Sequence, residues 1–166
     1  MNQQQRGASR PVVMPMSNPT AKAECTAEQA YLWTEGRAVV ATGSPFPPVV
    51  YKNNTTLIPS QCNNMYIFPG IGLAAAVGGL SIITDDMLYA AAVACAHSVS
   101  EAEKREGRVF PSISRIREVS LCVAEKVLEE GVRAGLATKI KPRHLDEGLR
   151  NLLRRKMYYP TYVPLL

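Results

Sequence analysis

Apolar and polar positions fall into blocks along this chain, and the blocks change period. Val12, Val13, Met14 and Met16 form a first apolar run, flawed by Pro15, so residues Pro11 to Met16 are predicted as a strand. Ala38, Val39, Val40 and Ala41 form a second strand-like run. Between them, Ala27 to Thr34 reads as a helix. Thr26-Ala27-Glu28-Gln29 before it is a capping box, in which the Thr26 and Gln29 side chains satisfy orphan amides reciprocally. Gly36 stops the helix, and Arg37 places a cation where the dipole favours one. Each apolar run ends in a polar turn, Ser17-Asn18-Pro19-Thr20 or Gly43-Ser44-Pro45-Phe46. Strand, polar turn, helix, strand, polar turn is the order of an α/β unit with a parallel sheet. Ligands bind beyond the carboxyl ends of such strands. Asn18 and Ser44 are therefore expected to line a small-molecule site.

Further along, Pro45 to Pro59 is a loop with room for a short strand at Val49 to Tyr51. Asn64 to Leu80 is apolar and rich in glycine. Thr84 is placed to cap a helix that opens with Asp85 and Asp86 and buries Met87, Leu88, Ala91, Ala92 and Cys95. Ser100-Glu101-Ala102-Glu103 is a second capping box, for a short helix ending near Gly107. Ile116, Val119, Leu121, Val123, Val127 and Leu128 keep a helical period up to Gly131. A last helix is predicted from Pro142 to Lys156, with Leu145, Leu149, Leu152 and Leu153 on one side. Residues 1–9 read as irregular or a helix remnant, and the tail from Tyr158 to Leu166 as irregular and free to pack on a neighbour. There is no internal repeat.

Composition narrows the class. With 166 residues, 46% hydrophobic and 20% charged, the chain is one globular domain or part of one. No run of about 18 apolar residues suggests a membrane span. The opening MNQQQRGASRP has no apolar core of a secretory signal, and its one arginine before Arg10 is too little for a transit peptide. Cys25, Cys62, Cys95 and Cys122 are widely spaced and read as reduced thiols of an intracellular protein. His97 and His144 lie far from any cluster that would complete a metal site. The net charge of +5 is concentrated in Lys139, Lys141, Arg143, Arg150, Arg154, Arg155 and Lys156. Without a nucleic-acid motif beside it, that excess reads better as a solvated face or a surface for an acidic partner.

The candidate chemistry is amide chemistry. Asn18 offers both a donor and an acceptor, and Pro19 turns the chain out of the strand at that point. An Asx-turn residue bonding its own backbone is the competing reading. Asn63-Asn64 is equally two-sided, a helix cap or a pair of amides for a ligand. Gly70-Ile71-Gly72-Leu73-Ala74-Ala75 matches G-x-G-x-x-[GA], with Met65 to Phe68 as a strand before it. However, Asp85 comes too early for the usual gap of about 20 residues to a ribose-binding acid. Close helix packing at Gly70 and Gly72 is preferred over a phosphate cradle. No Ser/His/Asp or Cys/His set is present.

At these motifs the chain resembles the malic enzyme family. The resemblance rests on RPVVMPMSNPTAKAECTAEQAYLWTEGRAVVATGSPF and QCNNMYIFPGIGLAAAV, and later on GRVFPSISRIREVSLCVAEKV and GLATKI. It covers Arg10 to about Tyr162. Met14-Pro15-Met16 and Ala74 depart from the usual pattern. The resemblance implies an α/β fold: a partial doubly wound, Rossmann-like parallel sheet followed by several helices. Residues 1–135 would be the C-terminal half of an NAD(P)-binding domain and 136–166 a helical extension. It also implies oxidative decarboxylation of L-malate to pyruvate and CO2, with hydride transfer to NAD or NADP and assistance from Mg2+ or Mn2+. In family terms Asn18 and Asn63 contact malate, and Ser17, Asn18, Gly43, Ser44 and Asn64 line the cofactor cleft.

The resemblance further implies that the general-acid tyrosine, general-base lysine, malate-binding arginine, metal-binding acids and glycine-rich phosphate fingerprint all precede Arg10. On that reading the chain is a fragment, a truncated gene product or one piece of a split enzyme. It is expected to be inactive alone and to need the missing N-terminal part as its partner, in a homo-oligomer. The competing expectation is a non-catalytic scaffold built on the half-domain, binding a partner through its tail or basic last helix.

Overall fold

The computed structural model describes residues 10–160, so the readings for residues 1–9 and for the tail beyond Pro160 lie outside the described residues. Backbone contacts divide the chain into two compact units: residues 10–64 with Ala96–Arg115, and Met65–Cys95 with residues 116–160.

The first unit carries the sheet. Strands β1 (Val12–Val13), β2 (Val39–Thr42) and β5 (Ser60–Gln61) lie in the order β1-β2-β5. Both pairings are parallel, with Val12 opposite Val39, Val13 opposite Val40, Ala41 opposite Ser60 and Thr42 opposite Gln61. Helix α1 (Ala27–Trp33) crosses between β1 and β2. The Thr26/Gln29 capping box forms in full, with Gln29 N donating to Thr26 Oγ1 at 3.1 Å and Thr26 N to Gln29 Oε1 at 2.9 Å. Alternation along the strand and the helical period of α1 bring Ala27, Ala30, Tyr31, Ala38 and Val40 together as a buried core. A small antiparallel hairpin, β3 (Val49–Val50) with β4 (Thr56–Leu57), lies in the predicted loop. Helix α4 (Glu101–Arg105) also carries its predicted capping box, Ser100 with Glu103.

The second unit is helical: α2 (Phe68–Gly78), α3 (Asp85–His97, its last residues counted with the first unit), α5 (Ile116–Arg133), α6 (Pro142–Asp146) and α7 (Leu149–Lys156). Thr84 Oγ1 caps α3 by accepting from Met87 N at 3.3 Å. Val119, Val123, Val127 and Leu128 of α5 and Leu153 of α7 are fully buried. Each buried leucine there contributes about 2 kcal/mol.

Several expectations need correction. The last helix is two helices, because Gly148 at φ +82° breaks the run, and Leu145 is exposed rather than packed. On α3, Ala94 replaces Leu88 and Ala92 on the buried face. The stretch before the glycines is a 3-10 turn, Asn64–Tyr66, not a strand. Of the two glycines assigned to close packing, Gly70 fits: a Cβ there would lie 2.6 Å from Val123 Cγ1. Gly72 does not, having nothing within 4 Å.

Candidate functional site at the carboxyl edge of the sheet

Parallel strands share one carboxyl edge, and register decides which residues meet there. Beyond β1, Pro15 O accepts from Gly43 N at 2.9 Å, which brings Met16 beside Gly43. Beyond β5, Cys62 N donates to Thr42 O at 2.8 Å, which brings Asn63 to the same turn from the other side. The segments after β1 and β2 close so tightly that a Cβ on Gly43 would lie 2.3 Å from Met16 O. Gly43 is thus required for close backbone approach, and no side chain of a neighbouring residue type could replace its hydrogen.

The side chains follow. Ser44, buried, donates from Oγ to Asn18 Oδ1 at 2.6 Å. Asn18 Nδ2 reaches Met16 O at 3.5 Å, a long contact. Gly43 O accepts from Asn63 Nδ2 at 3.4 Å and from Gln61 Nε2 at 3.3 Å. Asn18 and Asn63 are therefore tied to one two-residue turn, Asn18 through Ser44 and Asn63 through Gly43. The Asn18–Pro19 bond is cis.

The remaining candidates are placed differently. Ser17 is committed to Glu24: its Oγ donates to Glu24 Oε1 at 2.8 Å and its N to Oε2 at 3.2 Å. Glu24 is held below the ordinary carboxyl range by the hydrogen bond from its own amide first, then by the Ser17 hydroxyl and amide. Asn64 is exposed at the start of its 3-10 turn and joins none of these bonds. Neither it nor Asn63 caps α2, whose N-cap is Ile67 without a side-chain cap bond. Cys62 lies beside the site with Sγ 3.8 Å from Met16 Sδ, and burial pushes its thiol pKa up. Among the described residues no group of three His, Cys, Asp or Glu could hold a metal ion. No helix among them is long and apolar enough to cross a membrane.

Two features at the edge escape sequence reasoning. Glu24 is seven residues from its partner, with no local pattern linking them. β5 is Ser60–Gln61, polar at both positions, and offers no hydrophobic signal.

The arrangement is suited to one task. Amide and hydroxyl groups, fixed by backbone register at the carboxyl edge of a parallel sheet, can orient a polar ligand but cannot exchange protons near neutral pH. This fold and edge define a Rossmann-like, nucleotide-binding α/β domain.

Residues 1–132 match the family model described as malic enzyme, NAD binding domain. The chain belongs to the malic enzyme family. It is 45% identical over 153 residues to an NADP-dependent malic enzyme of Dictyostelium discoideum, covering 92% of this chain and 27% of that protein. It is 46% identical to NADP-dependent malic enzyme 2 of Arabidopsis thaliana, covering 92% of this chain and 25% of that protein. It is 42% identical to the NADP-dependent malic enzyme of Homo sapiens, covering 95% and 27%. The chain thus spans about a quarter of the length of the curated relatives it matches.

Proposed function

We propose that this chain supplies the malate- and nicotinamide-facing edge of an NADP-dependent malic enzyme, which converts L-malate to pyruvate and CO2. The observation that carries the proposal is the convergence of Asn18 and Asn63 on the Gly43-Ser44 turn. The names of the relatives support NADP as the dinucleotide. The extent of the family match, ending at residue 132, supports a boundary near residue 135 between the nucleotide-binding part and the helical extension.

The donor set fits the nicotinamide end of a dinucleotide and an adjacent hydroxy acid. Asn18 is exposed at the edge, so its amide can reach a ligand's carboxylate or carboxamide oxygen. A hydrogen bond from a neutral amide to a carboxylate is worth about 1.5–3 kcal/mol. Asn63 adds a second amide from the far side of β2, and Gly43 lets the segments approach closely enough to share one ligand. When bound, the dinucleotide supplies the hydride acceptor. These amides hold and orient; they do not take the malate hydroxyl proton, which requires a group that titrates. The described residues do not fit a divalent cation, and no step here runs through one.

A chimera tests this: the matching segment of the Dictyostelium enzyme is replaced by this chain, and malate-dependent NADPH formation is followed. The chimera is expected to turn over malate. Asn18→Ala in it is expected to lower kcat/KM about 100-fold, the kinetic equivalent of losing one charged hydrogen bond. A folded chimera that binds NADP yet reduces none with malate overturns the proposal. The 166-residue chain alone is expected to form no NADPH from malate.

A further inference from the structure

The contacts at the edge separate two serines that look alike in sequence. Ser17 is consumed by Glu24. Ser44 is only 4% exposed, and its hydroxyl proton goes to a protein atom. Its partner is the exposed Asn18, at 2.6 Å. The direction of that bond matters. Met16 O can only accept, so the Asn18 atom facing it is Nδ2 and the atom facing Ser44 is Oδ1. Ser44 must then donate. Among the described residues, the one other bond of the Asn18 side chain is the long one, 3.5 Å from Nδ2 to Met16 O. The amide oxygen is thus turned to Ser44, and the N–H donors are the part left to face a ligand.

We propose that Ser44 is a positioning residue: its hydrogen bond holds the Asn18 carboxamide in one orientation, so that the site recognises an oxygen acceptor and discriminates against a donor. This rests on the reading of Asn18 as a ligand contact. The acceptor is a carboxylate oxygen of the hydroxy acid or the carboxamide oxygen of the nicotinamide. Both sources have the same chemistry, and kinetics tell them apart. Without Ser44 the amide can rotate, and half of its orientations present Oδ1 to an oxygen that repels it.

The test has two parts. In the 166-residue chain labelled with ¹⁵N-asparagine, Ser44→Ala is expected to shift the Asn18 side-chain amide signals more than those of Asn64, and Ser44→Thr to restore them. Unmoved Asn18 signals in Ser44→Ala overturn the proposal, whatever the enzymology shows. In the chimera, Ser44→Ala is expected to raise one KM about tenfold while kcat changes less, the effect of one net hydrogen bond of orientation. A rise for malate identifies the carboxylate as the acceptor, and a rise for NADP identifies the carboxamide. Asn18→Asp keeps an acceptor for Ser44 but has no N–H donor, so it folds and is expected to lose at least as much as Asn18→Ala. Full activity in Asn18→Asp, or unchanged KM values in Ser44→Ala, overturn the proposal. An inactive parent chimera overturns the functional reading alone, because the amide signals still decide the orientation.

Discussion

The carboxyl edge of the strand-bearing unit and the helix contacts of the other unit use glycine for different ends. Gly43 abuts backbone: an added Cβ would meet Met16 O at 2.3 Å, C at 2.7 Å and Cα at 3.0 Å. Gly70, on α2, chiefly abuts a side chain: Val123 Cγ1 at 2.6 Å and Cβ at 2.7 Å, with Ser120 O at 2.8 Å. Gly78 and Gly131 likewise face side-chain methyls of Leu128 and Leu80. At the Gly43 turn of the first unit atoms are located by directional bonds between main chains, and there is no soft partner to yield. In the second they are located by shape, and leucine and valine rotamers can adjust. A ligand edge needs the first kind of construction, since amides must be held to a fraction of an ångström.

The comparison is broken most severely at Gly43. Gly43→Ala forces the ends of β1 and β2 apart, and a loss of about 3 kcal/mol is expected in urea unfolding of the chain. It is also expected to abolish malate turnover in the chimera. A Gly43→Ala chain as stable as the parent would mean the edge is as compliant as the helices.

Glu103 sharpens the same contrast at a second place in the strand-bearing unit. Its carboxylate accepts from Ser100 N at 2.7 Å, Ser100 Oγ at 2.8 Å, Ser112 N at 2.7 Å and Arg115 at 3.1 Å. Burial alone pushes its pKa up, but the bonds from Ser100 and Ser112, with the Arg115 charge, leave it below the ordinary 4.5. Glu103→Gln replaces one acceptor oxygen by a donor among donors, and about 2 kcal/mol is expected to be lost. The native bond is also pH-dependent. Because the folded pKa is the lower one, its stabilisation is present above the unfolded value of 4.5 and is lost as pH falls through the folded pKa. The parent should therefore lose more stability on acidification than Glu103→Gln does.

The helical unit gives smaller effects, of both signs. Gly70→Ala is expected to cost about 1–2 kcal/mol as Val123 is displaced. Gly72→Ala meets nothing within 4 Å and sits inside α2, so it is expected to stabilise by about 0.5–1 kcal/mol. Thermal unfolding of the pair distinguishes them. Equal effects would show that packing does not separate these two glycines.

The same contrast explains what the chain reveals before folding. Capping boxes are written in four adjacent residues, and both form as read, at Thr26/Gln29 and Ser100/Glu103. Apolar β2 and the period of α5 are equally local. The Gly43-Ser44 and Asn18 turns are visible because each follows such a strand. Less is legible where a long-range bond or a single backbone angle decides. β5 is two polar residues whose pairing comes from β2. Gly148 divides the last helix through a φ that the leucine spacing around it conceals. Gly70 and Gly72 look equivalent in sequence, and only the position of α5 tells them apart. Ser17 and Ser44 look alike in sequence, and only the fold shows that one hydroxyl donates to Glu24 and the other to Asn18.

Glu24 offers the finest test of whether directional bonds fix the edge. Its carboxylate receives both the amide and the hydroxyl of Ser17, the residue before Asn18, and closes the turn that carries the Asn18 amide. The group is exposed at the surface, so its removal is expected to change global stability little. Its effect should instead appear at Asn18. The folded pKa is lowered, so the carboxylate clamps Ser17 above the unfolded value of 4.5 and releases it as pH falls through the folded pKa. Acidification of the ¹⁵N-asparagine-labelled chain should then shift the Asn18 amide signals over that window, while Glu24→Gln removes this titration and leaves the Ser44 bond in place. If Asn18 titrates identically in both chains, the clamp plays no part in holding the edge, and Ser44 with the Gly43 turn is sufficient to fix it.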